Sequence, residues 1–157
     1  FLSFFATTLV YLVPDFTSDN LVISGTVNIG TFCGTFVHMN WGHWFSNMIF
    51  LIPVWIYADK LTSKPFITII VLANLLLTGI YGLLSEQRLC GLSGVVFMLI
   101  GLTAILGNWL MFGFAALLFF SEFMLLREED GMSHGAHIIF FILGIGIGIA
   151  KCAFAVF

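Results

Sequence analysis

The sequence predicts an all-α protein, a polytopic bundle of six transmembrane helices. Three observations carry this reading. Hydrophobic residues make up 61% of the 157 residues and charged residues only 8%, where a soluble domain carries about 25% charge. Mean hydropathy is +1.13 and the chain holds 19 phenylalanines. The few charges cluster between apolar runs of spanning length, roughly 17–25 residues. Lipid offers no hydrogen-bond partners, so such a chain must pair its backbone groups inside its own helices.

The spans follow in order. The first ends near Val13, before Pro14-Asp15. The chain opens on Phe1, with no basic stretch before the run and no small-residue cleavage pattern after it. A truncated first span therefore fits better than a signal-peptide core. The second span is residues 41–58, closed by Asp59-Lys60, and the third is residues 65–84. The fourth, residues 92–106, is closed by Gly107-Asn108. The fifth, residues 109–126, stops at Arg127-Glu128-Glu129-Asp130, and the sixth is residues 136–156. Residues 14–37 are too polar for a span and too apolar for a free loop. They suit the headgroup region or a partly buried position. No long linker or low-complexity tract interrupts the chain, so residues 1–157 are expected to form one membrane domain.

Charge sets the orientation. The net charge is −3 with no basic cluster, which argues against nucleic acid and against a polybasic lipid anchor. Lys60 and Lys64 share one face, and the positive-inside tendency puts them in the cytoplasm. The second, fourth and sixth spans then start at the outer surface, as in a bacterial inner-membrane protein whose site faces away from the cytoplasm. Cys33, Cys90 and Cys152 lack metal-ligand spacing. Cys33 and Cys90 fall on one side, where a disulfide is open to them, although two unpaired small hydrophobes is the simpler reading.

Chemistry centres on Cys90-Gly91-Leu92-Ser93-Gly94. Ser93 falls in the first turn of an apolar helix, where N–H groups lack intrahelical partners and the dipole is positive. That setting suits an acyl-transfer nucleophile and its oxyanion. The same Gly-x-Ser-Gly is also a common small-residue packing face. Three further groups share its expected depth. His43 and Asn47 sit one turn apart at the start of the second span, and His137 sits at the start of the sixth. His137 is the expected base, carried to Ser93 by a helix that continues through Gly144, Gly146 and Gly148. His43, Asn47 and the Ser93 amide are the expected oxyanion donors; alone, the first two are equally well read as interhelical hydrogen bonds. Phe97 is ordinary core or a ring stacked on His137. His134 reads as a loop residue. Glu122, the one acid inside a predicted span, is expected to snorkel outward or pair with Arg127. The site is therefore expected to be a Ser–His dyad, with no metal and no cofactor. A reading from another class is a metal or ion site of His38, His43, His134 and His137, weakened because neither a cysteine nor a carboxylate completes the shell.

These residues resemble the rhomboid family of intramembrane serine proteases. The resemblance rests on His38-Met39-Asn40-Trp41-Gly42-His43 followed by Asn47, on Gly91-Leu92-Ser93-Gly94, and on Ala136-His137 with Gly144 seven residues on. It covers about the whole chain. It implies Ser93 as nucleophile, His137 as base, and His43, Asn47, Gly91 and the Ser93 amide around the oxyanion. Phe97 stands where the family carries a ring against the base, and Gly94 and Gly144 serve helix packing. The fifth span is similar to the family's lateral gate. The implied partners are transmembrane protein substrates and the lipid bilayer, with cleavage near the outer surface. Two departures stand out: Phe140 replaces the glycine of Ala-His-x-x-Gly, and the first loop lacks the family's Trp-Arg pair. The compact chain is similar to the rhombosortase subgroup, which processes glycine-rich C-terminal sorting tails.

Overall fold

The computed structural model describes residues 34–38, 40–85, 89–126 and 133–154. Among them are five α-helices, a 3₁₀ turn at Gly34–Phe36 and no β-strand. The helices are α1 (Trp41–Leu61), α2 (Lys64–Ser85), α3 (Ser93–Leu106), α4 (Trp109–Met124) and α5 (His134–Phe154). They correspond to the second to sixth spans of the sequence reading. The expected first span and residues 14–33 of the stretch after it, Cys33 included, lie outside the described residues. Two stretches, Lys64–Leu84 and His134–Phe154, are long and apolar enough to cross a membrane, while α3 and α4 are shorter apolar helices.

Helix starts follow local chemistry. Asn40 Oδ1 accepts from the His43 N–H at 2.8 Å, and Asn108 Oδ1 accepts from the Met111 N–H at 3.1 Å. Each asparagine satisfies a first-turn donor that the helix itself cannot. Helix α5 starts two residues before the expected sixth span. His134 is thus its first residue and is buried, which corrects the loop assignment.

The chain divides into two compact units, one of residues 1–50 and 72–92, the other of residues 51–71 and 93–157. In the second unit, α3 is buried along its length from Gly94 to Ala104 and contacts both α4 and α5, which also touch each other. Its tightest partner is α5. A Cβ on Gly144 would run into the Met98 carbonyl, and a Cβ on Gly101 would run into the Phe141 carbonyl. Each helix thus supplies a glycine at the point where the other's backbone arrives. Lipid gives helices little hydrophobic reason to associate, so close backbone approach through small residues supplies the attraction. Phe140 is almost fully buried, and its departure from the family glycine leaves this contact intact. The sequence reading had Gly144 and missed Gly101.

In the first unit, the Gly91 N–H donates to the Gly34 carbonyl at 3.1 Å. Gly91 has φ 92°, a left-handed conformation that glycine adopts at no steric cost. A Cβ there would also strike the His43 ring at 2.7 Å and the Asn47 amide at 3.2 Å. His38 is fully buried, with its ring edge-on to His43 at 5.2 Å. Burial, and then the neighbouring His43, push its pKa down from 6.5 to about 4 against a raising contribution from the Phe36 backbone.

Two predictions follow from this packing. Gly144→Ala should destabilise the protein by roughly 3 kcal/mol, the upper end of overpacking costs, because the obstacle is backbone. Gly146→Ala meets nothing within 4 Å and should leave stability unchanged or slightly raised; unfolding of both variants in detergent checks the contrast. His38 stays neutral when folded but protonates when unfolded between pH 6.5 and about 4, so stability rises with pH across that window. The thermal midpoint should therefore fall on acidification from pH 6.5 to 4, and fall less in His38→Phe.

Candidate active site

Ser93 is the first residue of α3 and is partly exposed. One turn on, Phe97 lies flat against the His137 ring, with centroids 4.4 Å apart and planes within 11°. Residues i and i+4 share a helix face, so Ser93 and Phe97 stand on the same side of α3. That side faces α5 near its start. Among the described residues no hydrogen bond runs from Ser93 to His137. Catalytic hydrogen bonds are often long in ligand-free proteins and tighten with substrate.

The other edge of the His137 ring is occupied. His137 Nδ1 lies 2.8 Å from Glu122 Oε2, and His134 Nδ1 lies 2.7 Å from the same oxygen. The two rings meet edge-on, with centroids 6.0 Å apart. An ionised carboxylate only accepts, so both Nδ1 atoms carry hydrogen and the Nε2 of neutral His137 is left with its lone pair. This tautomer follows from the hydrogen-bond network.

Glu122 is 8% exposed, which overturns the expectation that it snorkels outward; Arg127, the partner also expected for it, lies outside the described residues. The reason for the burial is helical register. Ala115, Phe119 and Glu122 fall at i, i+4 and i+7 on one face of α4. Ala115 is buried and the Phe119 ring meets that of Phe141 at 5.2 Å, so this face turns toward α5. A buried carboxylate alone would cost several kcal/mol; two charge-assisted hydrogen bonds, about 1.5–3 kcal/mol each, offset that. The sequence held a signal for this: an acid on the same face as a small residue and an aromatic ring, inside a span.

Glu122, His134 and His137 also form a group able to hold a metal ion, with their ligand atoms within 4.8 Å of one another. A carboxylate is therefore available to an imidazole pair, contrary to the sequence reading. The observed separations of 2.7 and 2.8 Å are those of hydrogen bonds. Tetrahedral ligands held about 2.0–2.1 Å from zinc would stand roughly 3.3 Å apart, so a metal would have to push the cluster open and displace both Nδ1 protons.

His43 and Asn47 lie one turn apart at the start of α1, in the unit that also holds Gly91. Asn47 is buried. The φ of Gly91 and its lack of a side chain bring that backbone against both the His43 ring and the Asn47 amide.

Comparison with known proteins bears on the chain as a whole. No curated protein and no solved structure matches it. A family model, the Rhomboid domain, matches residues 29–154. The match takes in all five helices with Ser93, Glu122 and His137. By this match the chain is an integral membrane protein and belongs to the rhomboid family of intramembrane serine proteases.

Proposed function

We propose that this chain is an intramembrane serine endopeptidase that cuts membrane-anchored proteins near the non-cytoplasmic surface, with Ser93 as nucleophile and His137 as general base. The observation that supports it most is the flat contact of Phe97 with His137, one turn from Ser93. His137 Nε2 takes the hydroxyl proton as Ser93 Oγ attacks the scissile carbonyl, and later gives it to the leaving amine. Water then hydrolyses the acyl-enzyme. On the family resemblance, His43, Asn47, Gly91 and the Ser93 amide stabilise the oxyanion.

The reading extends to architecture. Residues 1–157 form one domain of six spans, with Lys60 and Lys64 on the cytoplasmic side. Helix α3 has 14 residues and rises roughly 21 Å, short of the hydrocarbon thickness of about 30 Å. A helix of that length leaves its first residue below the surface, where a water-filled recess can reach it. An apolar groove of about 370 Å³ lies among Ala104, Ala115, Phe119, Phe120, Phe141 and Ile145. It gives α4 room to move as a side wall that admits a substrate helix.

Ser93→Ala should abolish cleavage of a membrane-anchored substrate and labelling by a fluorophosphonate, with the thermal midpoint unchanged. Cleavage at the wild-type rate by that variant removes Ser93 as nucleophile.

A further inference from the structure

We propose that Glu122 is a positioning residue for the base, so that the chain carries a Ser–His–Glu relay and not a two-residue site. The proposal rests on the reading of Ser93 as nucleophile and His137 as base. Its own observation is the 2.8 Å contact of Glu122 Oε2 with His137 Nδ1, inside a cluster in which all three side chains are buried.

An imidazole base has two ways to be wrongly held. Its plane can tilt, and its ring can turn about the Cβ–Cγ bond to exchange Nδ1 for the carbon opposite. Phe97 fixes the plane by stacking at 4.4 Å. Stacking cannot distinguish the two edges of the ring, because the flipped ring stacks equally well. The carboxylate can: an N–H directed at Oε2 donates to it, and a C–H in that place would cost the buried charge one of its two hydrogen bonds. Glu122 therefore selects one orientation and one tautomer, with the hydrogen on Nδ1 and the lone pair on Nε2.

The carboxylate also acts during the reaction. As Ser93 Oγ attacks, its proton passes to His137 Nε2 and the ring becomes an imidazolium. The Nδ1 proton stays on His137 throughout, and Glu122 accepts none. A negative oxygen at hydrogen-bond distance, in surroundings drier than water, favours the charged ring formed in the transition state more than the neutral ring before it. The proton then leaves Nε2 for the amine, and the site returns to its first state.

His134 has a place in this arrangement. Its Nδ1 donates to the same oxygen at 2.7 Å, so the carboxylate is itself held from a second direction. Among the described residues, Glu122 and His134 are the titratable groups on His137. The simplest rival account is a clasp between α4 and α5 that stabilises the fold and leaves the chemistry alone.

The test uses the full chain in detergent and compares Glu122→Gln and Glu122→Asp with Ser93→Ala and His137→Ala. Glu122→Gln should lower kcat and the fluorophosphonate labelling rate by roughly 10²- to 10⁴-fold and leave KM within about threefold of wild type. Glu122→Asp should recover part of the loss. A Glu122→Gln variant that folds and keeps both rates within about threefold overturns the proposal, and so does a thermal midpoint that drops while the rates per folded molecule hold. If Glu122→Gln does not fold, imidazole ¹⁵N shifts of the wild type decide: hydrogen on Nδ1 of His137 supports the relay, hydrogen on Nε2 overturns it. Wild-type activity in Ser93→Ala or His137→Ala would instead sink the underlying assignment, whatever Glu122 does.

Discussion

The architecture around the site depends on two backbone contacts, Gly101 against Phe141 and Gly144 against Met98. They bring α3 and α5 together in parallel and set the register between them. One turn before Gly101 is Phe97, and one turn before Phe141 is His137; these two rings stack. Ser93 follows one turn earlier still. A shift of one residue at the glycine contact would turn His137 by about 100° about its helix and carry it off the Phe97 ring. In lipid, where association relies on fit, two glycines in fixed register do the work that a larger apolar interface does in water.

The second constraint is a charge where charge is expensive. Glu122 lies on the inward face of α4, where a buried carboxylate needs hydrogen donors. The first turn of α5 supplies two, His134 and His137, which share a face because they are three residues apart. The cluster thereby ties α4 to α5 at the end where the chemistry is proposed, and an apolar groove lies beside α4 further along.

Much of the fold is legible in the residues themselves. Apolar runs closed by Asp59-Lys60, by Gly107-Asn108 and by the acidic stretch after Arg127 mark where helices stop. Asn40 and Asn108 mark where two of them start. The match of the Rhomboid domain over residues 29–154 agrees with the motifs around His43, Ser93 and His137. Glu122 was misread because span length and hydropathy say nothing about which way a side chain faces. Its pairing with His134 and His137 joins residues 12 and 15 positions apart, on two different helices.

The sequence by itself determined the membrane class, the approximate extent of the five described helices and the residue types able to carry acyl-transfer chemistry, because each follows from local composition, capping and spacing. Only the tertiary structure decided which glycines meet a neighbouring backbone, that Phe140 does not keep α3 from α5, and that Glu122 and His134 belong beside His137. Those outcomes depend on the rotation and register of one helix against another, which the contacts between them set and which no single segment contains.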